Sequence, residues 1–527
     1  MQQPFKLCAP YALVNCGQVL RAQAHLRLAA LLARWYYLLS TNLNPNGFRP
    51  GVRPLTSFVP SMRLSLSFFR RAACLCLVAL AAAFPPASAA AQGFGLNEVG
   101  TCAVARGFAV TGSPCDDAST IFWNPAAAAE LTGRSVSLGA SDIAVNGAFN
   151  QDGTGRSYHS NIPQSLPPAA FAAMRFGKGS VGLGVYVPYG LTSEWNTNFP
   201  GRFSALRASL QTIYVQPNLA YQVTDNWSIG GGPVFGRSTV DLTQSIDLSQ
   251  QPAAAGITFG QLGIAAETEF ARAKFHGTSS AIGYNVGAHG KYGAWSIGAR
   301  YLSALTFNYS NAKATFTQVQ TGLVLPQGNP VSPTGSILPL DALLAAQFGP
   351  GGPLVSQSGS SKITHPWQLQ GGVGYNGFAG TKLSADIARL GWSSFATLPV
   401  TFNGPASSSS KVLLEDYHDS WAYRFGAEHK FQSLTGRIGY SFADTPAPNV
   451  TVTPLLPDMN RRNFSGGVGI PLSNMATVDI GYVHVNTPGR RGRIVERTSE
   501  AQTAAQLNTG TYALTADVFS AALNFTF

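Results

Sequence analysis

Three features of this sequence have residue types and spacings that could carry chemistry. Asp116 and Asp117 are adjacent carboxylates, which can serve in acid/base or metal chemistry but more often cap turns by accepting backbone N–H bonds. Residues 372–377 read GVGYNG and match GxGxxG; without a following helix or a βαβ unit, we interpret them as a strand and a turn. The histidines after residue 91 form no recognisable motif with a serine and an acid. We therefore predict no enzyme, no cofactor and no metal site.

The composition excludes an ordinary soluble protein and disfavours nucleic acid as a partner. Of 527 residues, 45% are apolar and only 11% are charged, whereas soluble domains carry about 25% charged residues. The formal charge is +11, but residues 1–91 contain nine Lys or Arg and no Asp or Glu. The remainder holds 26 basic and 24 acidic residues, a net charge of +2. We expect one large structure whose outer surface does not face water.

The start of the chain has the layout of an export signal. Residues 62–91 place Arg63, Arg70 and Arg71 before an apolar stretch that is too short to span a bilayer, and small residues then lead to Gln92. We predict a signal peptide at 62–91 and a mature start near Gln92. Residues 1–61 are interpreted as an upstream start chosen in error, with an unusually long leader as the alternative.

Two of the six cysteines, Cys102 and Cys115, remain after this leader. In an exported protein two cysteines so close together can form a disulfide, and free thiols are the alternative. A metal site is disfavoured, because there are only two such ligands and no nearby histidine.

Alternation of apolar and polar residues predicts a transmembrane β-barrel. After Gln92 the sequence has no apolar run of 18 residues, so an exported chain of this composition needs strands to cross a membrane. From Trp421 to Phe431 apolar residues alternate with polar ones such as Arg424 and Glu428, as a wall between lipid and a polar interior requires. The same period of two ends the chain at Phe527.

Turn signals give the number of strands. Six short turns alternate with seven longer polar or Pro/Gly-rich segments, which implies fourteen strands with short periplasmic turns and long extracellular loops. The first strand is expected at 134–149. The short turns are predicted at 177–179, 224–226, 291–293, 376–377, 430–433 and 472–474, and the long loops near 150–165, 197–205, 245–271, 314–360, 400–411, 446–460 and 489–508.

Several stretches in order carry a resemblance to a known family. GFGLNE at 93–98, DDASTIFWNPA at 116–126, VPYGLTSEW at 187–195 and TPLLPDMNRRNFSGGVG at 453–469 resemble the FadL family of outer-membrane channels for long-chain fatty acids and other hydrophobic compounds. The resemblance implies an all-β fold, a fourteen-stranded antiparallel transmembrane barrel at 134–527, plugged by an N-terminal hatch at 92–133. It also implies a hydrophobic binding site inside and passive, lateral release into the membrane.

The resemblance assigns roles to individual residues. It places Pro188, Tyr189 and Gly190 at an inward kink that opens the barrel wall, although a strand that ends at Pro188 is the alternative. It makes Phe94 and Leu96 candidates for ligand contact. The Cys102 and Cys115 pair departs from the family pattern, and a bridge there would limit movement of the hatch. The residues expected to have structural roles in the hatch are Asn97, Glu98, Arg106, Asp116, Asp117, Asn124 and Pro125.

Two groups in the long loops are candidate contacts at the cell surface. One group has helical spacing; the resemblance implies that it helps to form a docking groove for a hydrophobic ligand, and packing on its own barrel is the alternative. This group consists of Ile337, Leu338, Leu340, Leu343, Leu344 and Phe348. The other, Arg490, Arg491 and Arg493, either binds lipopolysaccharide phosphates or is merely solvated.

The expected protein is therefore an uptake channel of the bacterial outer membrane. It is a monomer in contact with outer-membrane lipid, and its partners are fatty acids or hydrocarbons. A porin for small polar solutes is the alternative, and an outer-membrane lipid hydrolase is less favoured. Which hydrophobic compound is transported does not follow from the sequence.

Overall fold

A computed structural model describes residues 93–254, 256–325, 327–329, 331, 338–497 and 499–527. The predicted upstream extension, the signal peptide, Gln92 and Ile337 lie outside the described residues. Among the described residues no helix is long and apolar enough to span a membrane, a result that concerns helices alone.

In the part of the chain that the structure describes, fourteen antiparallel strands form a closed barrel. Each strand pairs with the next along the chain, and the last pairs with the first from Ser135↔Thr526 to Gln151↔Gly510. Closure satisfies the backbone hydrogen bonds that lipid could not satisfy. The predicted fourteen-stranded antiparallel barrel is confirmed. The strands are β1 Arg134–Gln151, β2 Pro168–Phe176, β3 Gly179–Tyr186 and Gly190–Glu194, β4 Arg207–Gln222, β5 Trp227–Asp247, β6 Glu269–Tyr292, β7 Trp295–Leu302 and Leu305–Gln318, β8 Gln357–His365 and Gln368–Phe378, β9 Thr381–Leu390 and Thr397–Phe402, β10 Lys411–Leu414 and Ser420–Lys430, β11 Thr435–Ala443, β12 Arg461–Ser473, β13 Ala476–Asn486 and β14 Gly510–Thr526.

Short turns and long loops lie at opposite ends of the barrel, as predicted. The turn predicted at Asn376 and Gly377 is wrong, because both residues lie within β8. The register between β8 and β9 shifts between Tyr375 and Phe378, so Asn376 and Gly377 lie in a strand irregularity, and Phe378 still pairs with Thr381. The short turns are at 177–178, 223–226, 293–294, 379–380, 431–434 and 474–475.

The two faces of each strand differ in the way the alternation predicts. On β10, Tyr423 and Phe425 are exposed on the outside, whereas Arg424 and Glu428 are buried inside the barrel. Leu219 on β4 is 66% exposed on the same outer surface. These apolar side chains face hydrocarbon in a membrane, which is why their exposure carries no cost there.

The N-terminal segment, residues 93–133, lies against the inner faces of the strands. Its helix α1 (Thr101–Ala105) packs on β11 to β14, and its helix α2 (Thr120–Trp123) contacts β3. A 3-10 helix, Pro125–Glu130, packs on β4, β5 and β6. The residues from Val99 to Ala129 are almost all buried, so the segment fills the lumen at this level.

Two further helices lie in the long loops. Helix α3 (Leu340–Ala345) continues into the 3-10 helix Ala346–Phe348, and α4 is Ala504–Leu507. Other short elements are the strands Ser157–His159, Pro252–Ala254, Ile257–Thr258, Val324–Leu325, Leu338–Pro339 and Arg490–Gly492, and the 3-10 helices Pro200–Phe203, Leu248–Gln250, Gly260–Leu262, Trp392–Phe395 and Pro405–Ser409.

Candidate functional site

An apolar cavity of about 290 Å³ lies between the N-terminal segment and the wall. Its lining comes from the N-terminal segment, from β1, β3, β4, β13 and β14, from the first residues of β2 and β12, and from the loops at 162–167 and 456–458. The apolar lining residues are Leu96, Ile143, Val145, Ile162, Leu166, Val187, Leu191, Trp195, Leu210, Ile213, Leu456, Val485, Leu514 and Val518. A cavity of this lining favours an apolar ligand or the apolar part of an amphiphile.

The cavity reaches both faces of the barrel wall. Strand β2 begins only at Pro168, opposite Ala140, so the upper part of β1 has no continuous partner on that side. The loop at 161–167 covers this stretch, and single bridges such as Ile143↔Ser165 hold it. Leu210, which points inward, and Ile213, which is 49% exposed on the outside, both line the cavity.

Strand β3 is interrupted at Pro188, beside this opening. Tyr186 pairs with Tyr214 and Gly190 pairs with Gln211, so three residues of β3 stand opposite only two of β4. The one extra residue in β3 makes this a β-bulge. A bulge bends the strand and leaves some of its backbone groups without a hydrogen-bond partner on the neighbouring strand. The strand resumes at Gly190 instead of ending at Pro188.

The N-terminal segment takes up the hydrogen bonds that the bulge leaves open. Leu96 N donates to Pro188 O at 2.9 Å, and Gly190 N donates to Phe94 O at 2.8 Å. A Cβ atom at Gly190 would lie 3.0 Å from Leu96 Cδ1, so a side chain there would press on this contact. The segment thereby acts as a short extra strand at the break.

Phe94 anchors the segment in an aromatic cluster but does not line the cavity. Its ring centroid lies 4.8 Å from that of Trp392, 5.2 Å from Phe395 and 5.4 Å from His365, and Phe94 is 2% exposed. Of the two hatch residues expected to touch ligand, the structure places only Leu96 at the cavity.

One end of the cavity is polar. Glu98, Asp458 and Arg461 line it there, and Arg461 Nη2 lies 3.7 Å from Asp458 Oδ1. Asp458 Oδ1 also accepts a hydrogen bond from Gly93 N at 2.8 Å. Burial raises the pKa of the Glu98 and Asp458 carboxyls above their ordinary values. Asp458 and Arg461 lie in the stretch at 453–469, which the sequence marked only as part of the family resemblance, with no role for either residue.

Asp386 and Asn124 hold the middle of the N-terminal segment against the wall. Asp386 on β9 accepts from Thr111 N at 2.6 Å and from Gly112 N at 3.3 Å. Asn124 Nδ2 donates to the carbonyl oxygens of Thr111 and Ala288, at 3.0 and 3.1 Å. Its Oδ1 accepts from Ala126 N, which caps the 3-10 helix that Pro125 begins.

The other predicted hatch residues make polar contacts without forming a second site. Arg106 donates to Ser113 and Ser384, while Arg424 donates to Asn97 Oδ1 at 3.3 Å. These contacts tie the segment to β9 and β10.

The adjacent carboxylates have different surroundings. Asp117 accepts from Ser119 N at 2.8 Å in the turn-capping geometry, and burial together with the nearby Asp479 raises its pKa to about 6. Asp116 is exposed and pairs with Lys382 at 2.6 Å. The two carboxylates therefore do not converge on one position.

Cys102 and Cys115 are joined by a disulfide, with Cα atoms 6.2 Å apart. The bond connects α1 to the turn before Asp117, so these two parts of the N-terminal segment cannot separate. Closing a loop of this size contributes about 3 kcal/mol in the chain-entropy estimate.

Replacing both cysteines with serine should loosen the N-terminal segment. About 3 kcal/mol corresponds to roughly a hundredfold rise in the exchange rates of amides that open with the segment. Hydrogen exchange of residues 101–120 measures this, with β13 amides as the internal control. Equal protection of residues 101–120 in the two proteins would contradict the expectation.

The apolar loop helix lies away from the cavity. Leu340 and Leu344 are fully buried in a cluster with Leu248, Phe259 and Phe270, and Leu343 and Phe348 pack against it. The two strands Val324–Leu325 and Leu338–Pro339 pair beside it. Leu340 and Leu344 therefore pack on the neighbouring loop and on the start of β6, whereas Leu343 and Phe348 keep partial exposure.

The three arginines of the last long loop have protein partners. Arg491 makes a two-pronged contact with Asp152 at 2.7 and 2.6 Å, and Arg490 donates to Ala447 O at 2.6 Å. Arg493 donates to the carbonyl oxygens of Val450 and Val495. These contacts tie the arginines to neighbouring loop residues, and their binding of lipopolysaccharide phosphates stays a prediction.

The fold and the cavity define a class of protein: a transmembrane barrel with a filled lumen and an apolar cavity that opens through its wall. The sequence profile described as "Outer membrane protein transport protein (OMPP1/FadL/TodX)" matches residues 80–527. The chain belongs to this family and resides in the bacterial outer membrane.

Relatives and solved structures agree with this assignment. The long-chain fatty acid transport protein of Salmonella typhi is 26% identical over 431 residues, covering 77% of this chain and 91% of that protein. A Pseudomonas aeruginosa FadL homologue superposes with a TM-score of 0.68 at 20% identity, covering 82% of this chain and all of the other. The Pseudomonas putida toluene transporter TodX has a TM-score of 0.59 at 16% identity, covering 83% and 100%. These two structures support the fold.

Proposed function

We propose that this protein carries long-chain fatty acids or other hydrophobic compounds passively through the outer membrane. The observation that carries the proposal is the cavity, because its lining includes both the inward Leu210 and the lipid-facing Ile213. A ligand in this cavity has a path to hydrocarbon that does not return it to water. The relatives named for fatty acid transport and the structure titled a toluene transporter support the same class of ligand.

Transport then has three steps. The ligand is captured among the long loops, where Leu343 and Phe348 offer partly exposed apolar surface. It enters the cavity, whose apolar wall stabilises it by about 25 cal/mol per Å² of buried apolar surface. It leaves between β1 and β3, past Leu166 and Ile213. A porin for polar solutes would need the lumen that residues 93–133 fill.

Uptake into proteoliposomes tests the proposal. Labelled oleate and toluene should enter faster with the protein than without it, and a small sugar should not. Entry of the sugar without either hydrophobe would overturn the proposal in favour of a porin.

A cavity-filling substitution tests whether this cavity is on the path. Val518 is 1% exposed and lines the cavity, so Val518→Trp places a large ring in it. We expect uptake of the favoured hydrophobe to fall at least tenfold. The matched control is Leu219→Trp, on the lipid-facing surface of β4 and outside the cavity lining. Equal uptake by the two variants would exclude the cavity from the path.

A further inference from the structure

A group of cations lies on the outer surface of β5 to β8, on the side of the long loops. We call Arg237, Lys274, His276, Lys313 and Lys362 the basic face; all are exposed. The strand register brings them together, because His276 pairs with Lys313, and Lys274 follows the same outward face two residues along β6. Lys362 pairs with Asn308 on the neighbouring strand.

The basic face begins where the apolar belt ends. On β5, Phe235 is 45% exposed and Arg237 follows on the same outward face. On β6, Ile282 is 71% exposed and Tyr284 is 50% exposed, and the outward residues then change to Ser280, Thr278 and His276. Arg237 lies two residues beyond Phe235, and His276 and Lys274 lie six and eight residues beyond Ile282. At a rise of about 3.3 Å per residue, the cations therefore lie about 7 to 26 Å along the strands from the apolar belt.

The charge on this surface is only partly compensated within the protein. Asp241 lies 3.3 Å from Lys274 Nζ and 3.0 Å from His276 Nδ1. No ion pair of Arg237, Lys313 or Lys362 is found among the described residues. The outward residues between them are hydroxyl-bearing and can donate to phosphate or sugar oxygens. They include Thr278, Ser280, Thr306, Ser310 and Thr364.

The outer surface of β14 and β1, across the barrel from the basic face, carries carboxylates. On β14, Asp517 accepts from His484 at 2.9 Å, and Asp142 on β1 stands on the same outward side. Arg462 of β12 is an exposed cation on the surface between these two parts. The outward charges on β14 and β1 thus include carboxylates, whereas those of the basic face are mainly cations.

We propose that the basic face binds the phosphorylated head groups of the outer-leaflet glycolipid, lipopolysaccharide. Lys and Arg bind phosphate as charged donors, and clusters of them beside a membrane boundary recognise anionic head groups. Asp241 positions Lys274 and His276, while the hydroxyl groups between the cations contact the sugars. The site is separate from the transport cavity, and it is a different surface from the arginines of the last loop.

Titration of the detergent-solubilised protein with purified phosphorylated lipid A tests the proposal, with binding followed by thermophoresis. We expect the triple variant Lys274→Glu, Lys313→Glu, Lys362→Glu to bind at least tenfold more weakly than the wild type. Arg462→Glu, the matched control on β12, should stay within twofold. Dephosphorylated lipid A should bind the wild type and the triple variant equally weakly.

The fold of each variant is checked by its heat-dependent mobility on gels, and a triple glutamine variant replaces the charge reversal if folding fails. Undiminished binding of phosphorylated lipid A by a folded triple variant overturns the proposal, as does an equal loss in Arg462→Glu. Hydrophobe uptake should be unchanged in the triple variant, so this result and the test of transport are independent.

Discussion

Deletion of Pro188 should lower the initial rate of hydrophobe uptake at least tenfold. The deletion removes the extra residue of the bulge, so that Val187 and Tyr189 stand opposite Ile213 and Thr212. Residues from Gly190 onwards keep their present partners and faces. The strand can then run without interruption, and the gap between β1 and β3 narrows.

The matched control for this deletion is Pro188→Val. It restores a backbone N–H but keeps the bulge, with three residues of β3 opposite two of β4. We expect its uptake to stay within about threefold of the wild type. Hydrogen exchange of the amides at 187–190 shows whether the deletion has regularised the strand. Wild-type uptake by a deletion variant with protected amides would rule out the gap as the exit.

Asp386→Ala should make the barrel leak ions. It leaves the N–H groups of Thr111 and Gly112 buried without an acceptor, at a cost of about 1–3 kcal/mol each. The two losses total about 2–6 kcal/mol, so the N-terminal segment should open at least about thirty times more often. Planar-bilayer recordings should then show larger and more frequent conductance steps. Asp386→Asn retains one acceptor oxygen, so its conductance should be intermediate.

Asp517→Ala provides the control for Asp386→Ala. Asp517 is also a carboxylate on a spanning strand, but it faces outward and bonds His484 and Tyr482. Its removal should not change the conductance. If folded Asp386→Ala protein conducts no more than Asp517→Ala, Asp386 does not hold the segment in place.

The architecture could be predicted from the sequence because a membrane wall imposes a strict period of two. The residue type indicates which side of the wall a side chain faces: the apolar Tyr423 faces outward and the charged Arg424 faces the interior. Short turns mark one end of the barrel. The turn at Asn376 was misplaced because a strand irregularity can hold an Asn–Gly pair as well as a turn can.

The site was only partly predictable, because it depends on partners that are distant in sequence. Pro188 marked an interruption, but the bulge is defined by its register against β4, which one strand cannot reveal. Phe94 was expected at the ligand, yet Trp392 and Phe395 bury it in a separate cluster. Asp386 carried a usable signal, since a carboxylate at an inward position of a spanning strand needs a partner inside the barrel.

The contact between the N-terminal segment and the last strand constrains the order of assembly. Thr101 Oγ1 lies 2.8 Å from Ser520 Oγ, across 419 residues of sequence, and β14 pairs with β1 around the same segment. We therefore expect the segment to be in place before, or while, the first and last strands join. Bringing such distant residues together carries a loop-closure cost that local strand pairing does not. Insertion of this protein should consequently have a late, slow step, in which β1 and β14 pair and close the barrel around the N-terminal segment.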